Sequence, residues 1–392
     1  MPMTFDTYSE CSYRCIYCFA FFQKSLGGSG DSYMKTKARA VSIKKVINIF
    51  DNPDSSQFGT YVKARKAMQW GGMADPFDEN EREQGVTLEL LKYFRSIEYP
   101  LSICTKAVWF LDDPRYQEVL QGAGHINFKI SIITADDNVS RKVDALAPLS
   151  SDRFSAIRKL TNLGVGGVTL RFRPFIIGIS DKTMMDVIQR GAENGATAIS
   201  TEFMCLELRS ANKAANRYKA LSASAGFDVL QFYKTQSKGS GYLRLNRNIK
   251  EPYVKAMRDE CKRLGMRFYV SDAHFKELCD NGSCCGLPES WNYSRGQFTE
   301  ALLIAKEKGR VSWSDIEGHI NFLEMNFNNA HGFNTASAEK RSKNSAFTMK
   351  QYIKFNWNNV NGANSPYRYF GGILFPIGKD DNGDVIYEYK GD

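Results

Sequence analysis

A chain of 392 residues with 43% hydrophobic and 24% charged side chains can bury a large core, which excludes a disordered or fibrous protein. Its 52 Lys and Arg exceed 43 Asp and Glu by only +9, spread along the chain, so an anionic substrate is permitted but not demanded. Nine cysteines in uneven clusters, no charged-then-apolar N-terminal leader and no run near the ~18 apolar residues of a membrane span predict a reducing, cytoplasmic setting without disulfides.

The chain opens on an alternating strand (Met3, Phe5, Thr7) and then places Cys11, Cys15 and Cys18 in a C-x3-C-x2-C loop. Thiolates are soft ligands suited to iron–sulfur clusters, and a four-iron cluster normally takes four of them. Three closely spaced thiols therefore leave one iron open to an outside ligand. A zinc site or three unrelated thiols are the alternatives, but zinc loops usually run C-x2-4-C with a second ligand pair of that form further on, and none follows.

After a Gly/Ser patch (Gly27 to Gly30, Ser32), Ile43, Val46, Ile47 and Phe50 predict one helix face over about 36–50, broken by Asp51-Asn-Pro-Asp. A second strand at 67–70 stops at Gly71-Gly72. Helix 87–97, strand 101–105, a helix past Asp112-Asp-Pro, strand 126–133, helix 152–163, strand 168–177, helix 181–193 and strand 198–204 follow. Six strand–helix repeats with short connections predict an α/β parallel sheet, either an open partial barrel or a full one.

The C-x3-C-x-aromatic-C loop after a first strand, with Tyr17 before the last cysteine, resembles the signature of radical S-adenosylmethionine (SAM) enzymes. That resemblance implies a partial (β/α)6 barrel over residues 1–205 with its site at the carboxyl ends of the strands. It implies a 4Fe-4S cluster on Cys11, Cys15 and Cys18 whose open iron is chelated by SAM. It further implies reductive cleavage of SAM to a 5′-deoxyadenosyl radical, fed by a reductant such as flavodoxin or ferredoxin. The segment Trp70-Gly71-Gly72-Met73-Ala74-Asp75-Pro76-Phe77, with Thr105-Lys106, is most similar to the spore photoproduct lyase-like branch. The same resemblance makes Tyr17, Gly71, Gly72, Asp75, Lys106 and Ser131 candidates for the SAM site. Arg171 and Arg173 share one face of strand five and are candidates to grip a carboxylate or ribose, or are simply solvated at a strand end. Glu202 faces the same choice, and Arg141 is a candidate partner for the SAM carboxylate or an ordinary helix residue. Lyases of that branch carry a hydrogen-donating cysteine where this chain has Met73; a thioether cannot donate that hydrogen, so repair of the same lesion by the same steps is not expected.

Residues 206–392 read as a mixed α/β extension. A helix is expected near 211–221, then a basic loop (Lys238 to Arg247), helix 251–264 and strand 266–270. His274 to Gly286 then carries Cys279, Cys284 and Cys285, which reads as a second metal loop. The candidates there are an auxiliary iron–sulfur cluster completed by Cys205 or His274, redox or hydrogen-donor thiols (Cys284, Cys285), a zinc site, or packing. Cys104 and Cys261, inside a strand and a helix, read as structural. Helices near 294–307 and 312–326 precede an aromatic and basic tail (Asn328 to Phe333, Lys340 to Lys343, Tyr352 to Trp357). A hairpin pairing 369–376 with 385–389 around Asp380 to Gly383 ends the chain. Interleaved basic and aromatic residues suit nucleic acid, or equally a solvated surface over core aromatics. The functional expectation is a radical SAM enzyme acting on a nucleotide or nucleic acid. The alternative is one modifying a peptide or protein with an auxiliary cluster.

Overall fold

The computed structural model describes residues 3–26, 30–33, 38–56, 58–210, 212, 214–238, 242–281, 283, 286–288, 290–292, 298–321 and 349–391. Cys284, Cys285, most of the Gly/Ser patch at 27–29, the centre of the basic loop at 239–241 and the stretch 322–348 lie outside the described residues. The chain divides into two compact units: Met3–Tyr269 with Cys284–Asn292, and Met1–Pro2 with Val270–Ser283 and Tyr293–Asp392. The boundary expected at 205/206 falls inside the first of these.

The larger unit is built on β1 (Thr4–Phe5), β2 (Met68–Trp70), β3 (Leu101–Thr105), β4 (Ile126–Ser131), β5 (Gly167–Phe175) and β6 (Ala198–Phe203). These pair in chain order, each parallel to the next. Parallel neighbours need a crossover, and helices such as Val86–Ser96, Ser150–Asn162 and Met184–Glu193 supply it. Ser42 caps the first long helix and starts it at Ile43, later than the apolar pattern suggests. After β6 the chain makes a small antiparallel sheet from β7 (Leu206–Glu207), β8 (Ser237–Lys238) and β9 (Tyr242–Leu245). Helix Arg247–Arg263, with Val254, Met257 and Cys261 buried, then returns it to the main sheet. There β10 (Arg267–Val270) lies beside β6 and adds a seventh strand to the six expected. Cys261 is structural, as its helical position suggests.

Side chains alternate between the two faces of each strand, and the two rows differ in chemistry. One row faces the helices: Trp70 meets Phe94 at 5.7 Å between ring centroids, and Phe128 meets Phe110 at 5.9 Å. Leu170 lies so close under Gly191 that a Cβ there would come within 2.7 Å of it. The other row is polar: Gln69, Ser102, Cys104, Asn127, Lys129, Ser131, Thr169, Arg171 and Ser200. Register aligns Cys104 with Lys129 and Thr169, and Ser131 with Arg171 and Ser200. A sheet with one apolar row under helices and one polar row turned away from them has a chemical surface on its other face.

The smaller unit packs helices Thr299–Lys308, Trp313–Asn321 and Met349–Asn358 on an antiparallel sheet of β11 (Arg310–Val311), β12 (Leu374–Lys379) and β13 (Val385–Tyr389). The terminal hairpin forms, with Leu374 opposite Tyr389, and β11 joins its other side. Trp357 is fully buried against Phe298, Trp313 and Tyr387. Aromatics of the described tail therefore divide: Trp357, Phe370 and Tyr387 make the core, and Phe355 stays exposed. Among the described residues no helix is long and apolar enough to cross a membrane.

Candidate active site

The cysteine loop is held from several sides by backbone bonds that its own sequence does not announce. Ile16 N–H donates to Val143 O at 3.0 Å and Leu146 N–H to Tyr13 O at 3.1 Å, which ties the loop to the chain after β4. Ser12 N–H donates to Asp78 Oδ2 at 2.6 Å, which ties it to the helix cap after β2. Arg217 Nη1 donates to Cys15 O at 2.7 Å from the far helix Ala215–Ala225. Arg14 turns the loop in the left-handed region, φ 53°. The result places Cys11, Cys15 and Cys18 at the carboxyl edge of the sheet.

Cys15 is buried, and Cys11 and Cys18 are partly so. Burial pushes the Cys15 thiol up to about 12, with Lys106 opposing and Asp144 and Cys18 adding to the rise. Cys11 is raised by burial, then by Asp78, Asp75 and the other two cysteines. Cys15 and Cys18 both act on Cys11, and Cys18 on Cys15, so the three sulfurs are near one another, and as thiolates they need a cation among them, since metal ligands must be deprotonated. Among the described residues no three His, Cys, Asp or Glu side chains converge on the position of one metal ion. A four-iron core asks for something else: each thiolate binds its own iron, so the sulfurs stand apart around the core. The donor set therefore fits a cluster with one iron left to an external ligand.

The Gly71-Gly72 loop lies beside this centre, and two carboxylates shape it. Asp6, just past β1, accepts from Met73 N–H at 2.8 Å and Ala74 N–H at 3.1 Å. Burial raises its pKa against those hydrogen bonds. Asp75 accepts from Thr105 Oγ1 and Lys106 N–H, both at 2.7 Å, and from Phe77 N–H at 3.0 Å, so it binds the loop to the end of β3. Gly71 has φ 81°, and a Cβ there would collide with the Cys104 carbonyl oxygen and lie 2.9 Å from Pro76 Cδ. At Gly72 a Cβ would meet only the Asp6 carboxylate, at 3.7 Å or more, and otherwise open space. Tyr33 joins the two parts, donating to Met73 O and hydrogen-bonding Cys18.

A buried charge network backs the loop from the other side. Asp144 accepts from Tyr17 Oη and from Arg153 Nη2, the latter at 2.5 Å, and Lys106 Nζ stands 3.9 Å away. Arg153 also donates to Ser131 O at 2.6 Å and Ser140 Oγ at 2.7 Å. Burial works against the Asp144 carboxylate, but Arg153, Lys106 and the Tyr17 hydroxyl together hold its pKa below the usual range. Lys106 lies over the Tyr17 ring at 5.3 Å; burial disfavours its charge, while Cys15 and Asp144 raise its pKa. The structure thus brings together Tyr17, Lys106 and Ser131, which sequence singled out, with Asp6, Tyr33, Asp144 and Arg153, which it did not.

Other candidates fall elsewhere. Arg173 pairs with Glu202 at the carboxyl ends of β5 and β6. Arg141 is exposed on its helix. Cys205 has its Sγ 3.8 Å from Phe203 O and bonds Tyr242. Cys279 Sγ lies 3.2 Å from Val270 N and 3.4 Å from Val270 O, and His274 packs under Gly371. Cys104, read as structural, is buried in the polar row with its Sγ 3.6 Å from Ser131 Oγ.

Solved structures similar to this chain include radical SAM enzymes. Spore photoproduct lyase complexed with dinucleoside spore photoproduct is 16% identical, with a TM-score of 0.48, over 67% of this chain and 74% of that one. The radical SAM methyltransferase TsrM from Kitasatospora setae, with tryptophan and a SAM analogue bound, is 11% identical, with a TM-score of 0.39, over 67% of this chain and 51% of that one. No family model matches the sequence, and no curated protein does.

Proposed function

We propose that this chain is a radical SAM enzyme whose Cys11, Cys15 and Cys18 hold a 4Fe-4S cluster. The observation that carries the reading is the closeness of those three thiols in one loop beside the Gly71-Gly72 turn, next to Lys106, Tyr17 and Asp144. A cluster held there would pass one electron to SAM and yield methionine with a 5′-deoxyadenosyl radical. The protein's own part is placement. Asp6 and Asp75 fix the glycine loop so that backbone can approach a ligand over Gly72. Lys106 and Ser131 would offer a cation and a hydroxyl suited to the polar groups of an amino acid. Buried Arg153 and Asp144 hold Tyr17 and the end of β4 still behind them.

In the finer reading the substrate is a nucleotide or nucleic acid, supported by the chain's net +9 and the sequence resemblance of its first half. The second reading is a peptide or protein substrate served by a second iron–sulfur cluster. Binding of nucleic acid that weakens steeply with salt supports the first, and its absence supports the second. Iron near four rather than about eight per chain removes the second cluster. The enzyme reading is tested anaerobically: the reconstituted chain, given a one-electron reductant, turns SAM into 5′-deoxyadenosine, and Cys15→Ala does not. Equal behaviour of the two proteins rejects it.

A further inference from the structure

The cysteine loop is reached by a cation from beyond β6. Arg217 lies near the start of helix Ala215–Ala225, and its Nη1 donates to Cys15 O at 2.7 Å. Its guanidinium carbon stands 4.0 Å from the centre of the Phe21 ring. Phe21 and Phe22 are buried on helix Phe19–Leu26, which begins directly after Cys18. The Phe22 ring stacks on Tyr218 at 5.4 Å, and Tyr218 Oη donates to Glu207 O at 3.0 Å. Two adjacent side chains of one helix, Arg217 and Tyr218, thus clasp the turn at Cys15 and the helix that follows Cys18.

Burying part of a guanidinium carries a cost that nearby negative charge offsets. Burial pulls the Arg217 pKa down, and Cys18, Cys15 and Tyr33 act against that fall. The groups that favour its charge are therefore two of the loop cysteines and the tyrosine that hydrogen-bonds Cys18. Lys106 and Arg153 also act on Cys15, but both face the Asp144 carboxylate, which offsets their charge there. Arg217 instead answers the cysteines themselves. The potential of an iron–sulfur cluster follows its net charge, its hydrogen bonds and its exposure. A fixed cation beside such a centre stabilises the reduced form more than the oxidised one, because reduction adds a negative charge.

We propose that Arg217 is a positioning residue for the cluster, which fixes the Cys15 turn from the extension and by its charge makes the centre easier to reduce. The inference rests on the radical SAM reading, since it concerns the cluster that reading assigns to Cys11, Cys15 and Cys18. It gives helix Ala215–Ala225 a part in the electron transfer rather than in packing alone. The bond to the Cys15 carbonyl holds the cation in place, and the charge does the tuning.

The midpoint potential of the reconstituted full chain tests this, titrated anaerobically without SAM and read by electron paramagnetic resonance of the reduced cluster. Arg217→Gln is expected to lower the ratio of reduced to oxidised cluster roughly 10-fold at a fixed poise, a shift of about 59 mV for one electron. Arg217→Lys, which keeps the charge but not the planar fork, should stay within ~2-fold of wild type. Iron and sulfide content and circular dichroism compare loading and folding among the three proteins. An Arg217→Gln chain that loads no cluster while Arg217→Lys loads one also supports the charge. An unmoved midpoint in Arg217→Gln, an Arg217→Lys displaced as far as Arg217→Gln, or failure of both variants to load overturns the proposal. A wild type that takes up no cluster rejects the radical SAM reading and this inference with it, so the two failures are told apart.

Discussion

Arg153 and Asp144 meet at 2.5 Å with both side chains excluded from solvent, and through them the carbonyl of Ser131 on β4 is tied to Tyr17 in the cysteine loop. Breaking a buried pair by removing one partner strands the other charge. Arg153→Met is expected to cost about 3–5 kcal/mol, measured by chemical denaturation. Arg153→Met with Asp144→Leu should recover a good part of that loss, because neither charge is then left alone. A double variant as unstable as the sum of its parts would show that the two residues do not act as a pair.

The two glycines after β2 should respond differently to the same substitution. Gly71→Ala meets a positive φ and a collision with the Cys104 carbonyl, and is expected to destabilise by roughly 1–3 kcal/mol. Gly72→Ala points its methyl into open space and is expected to leave stability within ~1 kcal/mol while weakening SAM binding, read by equilibrium dialysis. Equal loss of stability in both would refute the distinction.

Asp75 gives a pH signature of known sign. Burial pushes its carboxyl up to about 6, against hydrogen bonds from Lys106, Thr105 and Phe77 that pull the other way. Between its ordinary value near 4 and about 6 the folded protein holds a proton that the unfolded chain has released, so this group's contribution to stability falls as pH rises through that window. Asp75→Asn removes the term. The stability of wild type relative to the variant should decline from pH 4 to pH 6, by at most about 3 kcal/mol, and level off above. A difference that rises with pH would mean the hydrogen bonds outweigh burial.

In the smaller unit Trp357 donates its indole N–H to Val385 O at 2.7 Å and packs among Phe298, Trp313 and Tyr387. Trp357→Ala should cost about 3–5 kcal/mol by emptying that core. Phe355→Ala, on the exposed side of the same helix, should stay within ~0.5 kcal/mol. Thermal melts of the two variants check the contrast.

Local pattern in the sequence was enough for the strand–helix alternation from β2 to β6, the terminal hairpin, and the crowded spacing of Cys11, Cys15 and Cys18, because each of these is written within a few neighbouring residues. Tertiary structure alone decided what those pieces hold on to. Asp6 serves a loop 67 residues away, Asp144 reaches back 127 residues to Tyr17, and Lys129 belongs with Gln69 60 residues earlier. A lone Asp, Arg or Lys in a strand or at a helix end has no periodicity to mark it. Only the parallel register, which brings distant segments side by side at one end of a sheet, turns such residues into ligand-shaping groups. The same packing folded a strand of the extension into the main sheet beside β6.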